Sequence, residues 1–397
     1  MDKAQSVIKF IKKEAVLCIS GVLAFLSALV VKPDREYIGY INFRVLGLLF
    51  SLMAVVAGLK SLGVFDRIAR KLTAKCNNMR SLILLLTGLC FFSSMFITND
   101  VALITFVPLA ISALVMAGGE KYIIHTVILQ TVAANMGSML TPMGNPQNLY
   151  LADFYQMTMG EFFGTTAPMC LVSGLLLMVL CLPIKPVKYL SAGKNLPTAK
   201  DLSVEEISRR EKRSLDKDRQ EYGTDKKLLC LYGALGILAV LAVFQVVHYL
   251  ILTVITVVLA LLFDRKVLKQ IDWLLLLTFV MFFIFVGNAA RIEEIRTFLE
   301  NITAGRELLV GAAASQMISN VPAAVMLSNF TERGRELLLG VDIGGLGTPI
   351  ASLASLISYR LYADSKDSKK GRYMAEFLTV NFGLLGVLLV FCLIFYA

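Results

Sequence analysis

The chain has 397 residues, 57% of them hydrophobic and only 17% charged, with a formal net charge of +10. Soluble domains carry about a quarter charged residues, so this composition excludes an ordinary soluble globular protein. The basic excess lies between apolar runs rather than in one patch with interleaved aromatics, which points to membrane orientation and against a nucleic-acid partner.

In chain order, a lysine-bearing N-terminus runs into "AVLCISGVLAFLSALVV" with no small-residue cleavage site before Lys32, so 15–31 reads as an uncleaved first crossing. A helix needs about 20 residues to span a hydrocarbon core of about 30 Å. Further crossings are expected at 38–59, 121–149, 162–184, 228–246, 249–263, 272–287, 337–358 and 374–396, about nine in all. Two more apolar stretches, 81–117 and 308–330, are interrupted at their centres, and amphipathic arms fall at 61–76 and 289–301. The fold class is therefore an all-α polytopic membrane protein. The cysteines, at 18, 76, 90, 170, 181, 230 and 392, lie mostly in apolar runs without CxxC spacing and read as small core hydrophobes.

Sidedness follows from the loops. Segment 60–80 carries Lys60, Arg67, Arg70, Lys71, Lys75 and Arg80, and 360–372 carries Arg360, Lys366, Lys369, Lys370 and Arg372. Both are expected in the cytoplasm, as are the N-terminus and the long charged linker 185–227. Segment 150–161, with Asp153 and Glu161 and no basic residue, is expected outside, as is the C-terminus. The count requires 228–263 to cross twice, turning near Gln245 to His248.

The two halves resemble each other. "INFRVLGLLFSLMAVVAGL" from Ile41 matches "IDWLLLLTFVMFFIFVGNA" from Ile271, and "FSSMFITND" ending at Asp100 matches "AASQMISNV" ending at Val321. "NMGSMLTPMGNPQN" from Asn135 aligns without a gap to "DIGGLGTPIASLAS" from Asp342, so that Gly137 falls on Gly344, Asn145 on Ser352 and Asn148 on Ser355. Residues 1–184 then form a first repeat, with hairpin 81–117 and broken helix 121–149. Residues 228–397 form a second, with an extra crossing at 228–246, hairpin 308–330 and broken helix 337–358. Loop charge puts one amphipathic arm inside and the other outside, so the repeats have inverted topology, the signature of a secondary transporter.

Each limb of 308–330 is about a dozen residues, or roughly 17 Å of helix, too short to cross. It is expected to enter and return on one side, with "SNVP" at its tip, and "TND" at 98–100 is the matching tip. Ser319 and Asn320 can cap locally, and Pro322 suits the first turn of the returning limb. Pro142 and Pro349 each remove a backbone donor beside permissive glycines, giving half-helices that meet at mid-membrane. Half-helix N-termini favour an anion, whereas unwound carbonyls with Asn, Ser and Thr oxygens ligate a small hard cation. Candidate substrate ligands are thus Asn99, Thr141, Pro142, Asn145, Asn148, Ser319, Asn320, Thr348, Pro349 and Ser352. Candidate cation or proton-coupling residues are Thr98, Asp100, Asn135, Gly137, Asp342 and Gly344. Formal charges inside the membrane are few: Arg44, read as a snorkelling or scaffold charge, Asp100, Asp342 and His125, the last read as a packing residue.

"TPMGNPQN" and "TNDVALITFVPL" resemble the citrate-transporter-like and arsenite-permease branches of the ion transporter superfamily. "SNVP" and the "TP" of "GGLGTP" are similar to motifs of its divalent anion/sodium symporters. The resemblance spans nearly the whole chain. It implies a scaffold, a mobile subdomain carrying both hairpins, elevator-like alternating access and a homodimer. The tips, Thr98-Asn99-Asp100 and Ser319-Asn320-Val321, depart from the Ser-Asn-Thr of the dicarboxylate carriers, which argues against strict carry-over of their substrate and sodium dependence.

The function expected is secondary-active transport of a small anion, a carboxylate or an inorganic oxyanion, coupled to Na⁺ or H⁺, with no cofactor beyond a bound Na⁺. Arsenite efflux and Na⁺/H⁺ antiport on the same fold are the alternatives. An intramembrane enzyme is disfavoured by two histidines and the lack of HExxH or GxSxG. A channel is disfavoured by the lack of a repeated filter.

Overall fold

The computed structural model describes residues 14–73, 75–187, 226–365 and 368–396, and among these every regular element is helical. The expected linker lies outside the described residues over 188–225, as do Lys366 and the first 13 residues. Helices α1 (Ala15–Val30), α2 (Glu36–Tyr40), α3 (Phe43–Ser61) and α4 (Val64–Thr73) lead into α5 (Met79–Ser93) and α6 (Asn99–Met116). Next come α7 (Ile123–Ser138), α8 (Pro146–Phe154) and α9 (Met159–Cys181). After the linker follow α10 (Lys226–Val243), α11 (Tyr249–Phe263), α12 (Trp273–Ala290), α13 (Glu293–Thr303), α14 (Glu307–Ile318) and α15 (Asn320–Ser328). The chain ends with α16 (Gly334–Ile343), α17 (Leu353–Ala363) and α18 (Lys370–Phe395).

Among the described residues, six helices, α3, α6, α9, α10, α12 and α18, are long and apolar enough to cross a membrane. Five coincide with expected crossings; α6 does not. The stretch 81–117 divides into limbs of 15 and 18 residues, whereas 308–330 divides into limbs of 12 and 9. At about 27 Å by 1.5 Å per residue, α6 is a longer limb than the hairpin expectation requires. The expected crossing at 38–59 starts later than expected, at Phe43, because Asn42 stops α2 from continuing and its side chain accepts from Val45 N at 3.0 Å, an N-cap. Between α10 and α11 the chain turns at 244–248, with Gln245 at φ 62°, and His248 Nδ1 accepts from Leu250 N.

Helices α3, α10 and α11 pack together, and α12 packs along α1. That second pair is pinned by polar contacts: Asn288 Nδ2 donates to Ser27 Oγ at 3.0 Å and to Tyr37 Oη at 2.8 Å, while Arg291 reaches Asp34 at 2.7 Å. In a bundle whose outer surface meets lipid, such close packing and interhelical hydrogen bonds replace the hydrophobic drive. A second group is built around α7, which packs on α5, α6, α9, α17 and α18. Its core includes Ile83, Leu103, Phe106, Ile128, Leu129, Tyr373 and Phe377, together with the thiols of Cys90, Cys170, Cys181 and Cys392. Large apolar side chains at the periphery, among them Phe25, Leu171, Val254 and Ile394, are exposed, as a lipid-facing surface requires.

Candidate functional site

Two helices stop in the interior and restart. Helix α7 ends at Ser138 and α8 begins at Pro146, a residue that needs no N–H partner at the first helical position. Helix α16 ends at Ile343 and α17 begins at Leu353, across a gap in which Gly347 takes φ 102°. The residues before the restarts, Asn145 and Ser352, are both extended, at φ −151° and φ −141°. These are the positions that the gapless alignment of the two halves superimposes.

The tips meet the breaks in the same matched way. Asn99 N donates to Gly144 O at 3.3 Å, and Asn320 N donates to Ala351 O at 3.0 Å. Each tip asparagine turns its side-chain oxygen onto the next residue: Asp100 N donates to Asn99 Oδ1 and Val321 N to Asn320 Oδ1. The Thr141 hydroxyl donates to Met95 O, and Thr348 Oγ1 donates to Gln316 O at 3.1 Å. Close approach repeats as well. A Cβ on Gly137 would lie 2.1 Å from Phe91 O, and one on Gly344 would lie 2.8 Å from Ala312 Cα. Only glycine lets these helices touch backbone to backbone. Ser319 sits at φ 74°, a strained conformation for a residue with a Cβ, held between α14 and α15.

Between the breaks lies a buried polar cluster. Asn135 is its hub: its Oδ1 accepts from Asn99 Nδ2 at 3.1 Å and from Ser352 Oγ at 3.0 Å, and its Nδ2 reaches Gly345 O at 3.4 Å and Ser355 Oγ at 3.5 Å. At the aligned position in the other half, Asp342 Oδ1 accepts from Gln147 Nε2 at 3.2 Å. Asn145 Nδ2 donates to Ser138 Oγ at 2.9 Å, and Asn148 Nδ2 closes the first break by donating to Met139 O at 3.2 Å. Four oxygens in this region are buried without a hydrogen-bond donor: Asp342 Oδ2, Asn145 Oδ1, Gln147 Oε1 and Asn148 Oδ1. Unpaired buried acceptors cost about 1–3 kcal/mol each unless a ligand satisfies them. Among the described residues no lysine or arginine joins the cluster. Asn99 at the start of α6, and Asn145 and Ser352 just before α8 and α17, belong to the cluster, so the site offers amide groups and neutral or acidic oxygens close to helix N-termini.

Not every candidate joins this cluster. Thr98 begins α6 with no side-chain cap, and Asp100 Oδ1 is buried without a hydrogen-bond partner. Ser319 makes only long contacts, 3.4 Å, to Asn320 Oδ1 and Ala351 O, and is not a side-chain cap. Thr348 braces the second break, and Pro349 is half-buried beside it.

Sequence reasoning missed several residues. Gln147 was readable as the one long amide in "NPQN". Gln316, a lone amide in the apolar α14, donates to Gly344 O and Leu346 O, each at 2.8 Å, and accepts from Thr348 N at 2.8 Å. Gln130 ties α7 to both limbs by donating to Leu86 O and Phe106 O. The inventory of charges was also too short. His125 Nδ1 lies 2.9 Å from Glu376 in α18, and Glu307 is buried at the start of α14. Asp153 lies within α8 rather than in an outer loop, and takes Arg44 Nε at 3.0 Å and Asn42 Nδ2 at 2.7 Å. Arg44 is thus an ion-paired charge, not a snorkelling one. That pair lines a small, partly open cleft that reaches Pro142 in the first break.

A bundle of apolar helices enclosing a polar centre, with two helices broken at that centre, is a multi-pass membrane transporter. Residues 7–331 match the citrate transporter family model, and the chain belongs to that family. It is 28% identical over 347 residues to the inner membrane protein YbiR of Escherichia coli, covering 86% of each chain. It is 30% identical over 366 residues to an uncharacterized transporter of Methanocaldococcus jannaschii, covering 89% of this chain and 90% of that one. A silicon efflux transporter of Oryza sativa is 28% identical over 167 residues, 41% of this chain and 33% of the relative.

Proposed function

We propose that this protein is a secondary-active transporter built from two inverted repeats, in which hairpins 81–117 and 308–330 and the two broken helices enclose a substrate site at Asn99, Asn135, Asn145, Asn148, Asn320 and Ser352. The observation that carries the reading is the matched bonding of tips to breaks: Asn99 with Gly144 and Thr141 with Met95 in one half, Asn320 with Ala351 and Thr348 with Gln316 in the other. Two interlocking halves of this kind suit alternating access about a central site. Asp342 and the neighbouring unpaired amide oxygens supply hard oxygen ligands for Na⁺, or a carboxylate to carry H⁺, as the coupling ion. The N-terminus and linker lie in the cytoplasm, the C-terminus lies outside, and the transporter is a homodimer that works as an elevator.

The substrate is a small oxyanion or oxyacid, held by helix N-termini and amide groups. A specific observation favours the second reading, export of an uncharged oxyacid such as arsenite: no basic residue offsets anionic charge in the cluster among the described residues, and Asp342 would repel a multiply charged carboxylate. The rice relative is named for silicon efflux, and silicic acid is likewise uncharged near neutral pH.

The test is flux into proteoliposomes of labelled citrate, succinate, sulfate and arsenite, each under an imposed Na⁺ or pH gradient. Saturable flux of one solute, dependent on one gradient, is expected, and Asp342→Asn removes the gradient dependence. Gradient-driven transport that survives intact in folded Asn99→Ala, Asn135→Ala and Asp342→Asn would place the site elsewhere.

A further inference from the structure

In the alignment of the halves, α3 corresponds to α12 and α8 to α17. The local geometry agrees: Asn42 and Asp272 are both N-caps, at φ −80° and φ −79°, each accepting from the N–H three residues on. The frame and the mobile elements nevertheless meet unequally. Helix α3 packs on α8 and α12 packs on α15, and these two partners pack on each other. Their counterparts, α17 and α6, also pack on each other, but among the described residues neither α12 on α17 nor α3 on α6 makes a comparable contact.

The α3–α8 contact is closed by Asp153, which takes Asn42 Nδ2 at 2.7 Å and Arg44 Nε at 3.0 Å. Asn42 aligns with Asp272, and Asp153 aligns with Arg360. The aligned pair therefore carries opposite charges, an acid on α12 where α3 has the neutral Asn42 and a base on α17 where α8 has Asp153, while Arg44 itself aligns with Leu274. In the state described, the pair is apart. Arg360 is exposed and makes no ion pair among the described residues. The Asp272 carboxylate caps Leu275 N.

Resting on the inverted-repeat reading above, we infer that Asp272 and Arg360 form the ion pair that closes the opposite-facing state, as Arg44 and Asp153 close this one. When two inverted repeats exchange conformations, α12 takes the place relative to α17 that α3 now holds relative to α8. Arg360 then arrives at Asp272 as Asp153 leaves Arg44. Two pairs made alternately give each end state a contact that the other lacks, and their difference sets the balance between the states.

Two measurements on the full-length protein in proteoliposomes test this, in a background without other cysteines. Asp272→Cys with Arg360→Cys is treated with a thiol cross-linking oxidant and read by loss of labelling with a polyethylene glycol maleimide. Spin labels at the exposed positions Leu277→Cys on α12 and Leu353→Cys on α17 report helix separation. Two separations are expected, the shorter gaining roughly threefold to fivefold in population in Arg44→Gln, which weakens the pair of this state. The cysteine pair is expected to cross-link, with a yield that rises in the same variant. Asp272→Arg and Arg360→Asp each deplete the shorter separation, and together they restore it. Two separations without cross-linking, or without rescue by the charge exchange, overturn the ion pair and leave the alternating reading standing. A single separation that no variant shifts overturns that reading itself.

Discussion

Gln316 braces the second break, and replacing it with methionine, the residue at the aligned position 95, isolates what that amide does. Gln316→Met keeps the length and packing of the side chain. It also keeps the backbone carbonyl that takes the Thr348 hydroxyl, so the matched tip-to-break bond remains. What it removes are a longer donation to Ala312 O at 3.3 Å and three short bonds at 2.8 Å, the donations to Gly344 O and Leu346 O and the acceptance from Thr348 N. The three short hydrogen bonds at about 1 kcal/mol net each, discounted because Gln316 is half-buried, come to about 2 kcal/mol. At about 1.4 kcal/mol per decade, the 344–348 segment should open roughly thirtyfold more often. Hydrogen–deuterium exchange read by mass spectrometry checks this on peptides covering 344–348, with peptides covering 139–145 as the internal reference. Faster exchange confined to the second break is expected. Unchanged exchange at 344–348 in a folded variant would refute the assignment of Gln316 as the brace.

Gly137→Ala places a methyl group 2.1 Å from a backbone oxygen of α5 and should destabilise by about 3 kcal/mol or more, whereas Gly164→Ala, with open space at its Cβ, should be neutral; thermal unfolding followed by size-exclusion chromatography in detergent distinguishes them, and equal midpoints would count against the close approach. For His125 and Glu376, each 27% exposed, a double-mutant cycle with glutamine at both positions should return a coupling of about 0.5–1 kcal/mol in stability. Gradient-driven flux should persist in the double variant, since the pair braces α7 against α18 away from the cluster, and its loss would reassign the pair to the transport path. Outside the membrane, the hydrogen bond from Arg291 holds the Asp34 carboxyl below the usual carboxylate range. A depressed acid adds stability above its unfolded pKa that is lost as pH falls through the folded one, so wild type should exceed Arg291→Gln in thermal stability near neutrality and converge with it once the pH has fallen below the usual carboxylate range. A gap that stays constant across that range would exclude the contact.

What the sequence by itself determined is the membrane class, the family, and where the interior helices break. Those signals are local: Pro142, Pro146 and the glycines at 344–347 act on their own backbone. The local match of Asn99 with Asn320 and of Asn145 with Ser352 was legible for the same reason, since each is written in a few adjacent residues. Limb lengths were less legible, because the apolar run of α6 carries no mark separating a crossing from a hairpin limb. Only the tertiary structure decided which groups meet. Gln147 reaches Asp342, Gln316 reaches the second break, His125 reaches Glu376 and Arg44 reaches Asp153 across gaps of 195, 28, 251 and 109 positions. An amide or a charge on an apolar helix declares that it needs a partner, but which partner depends on how that helix is rotated and shifted against its neighbours. That is set by the packing of the whole bundle, and no local pattern records it.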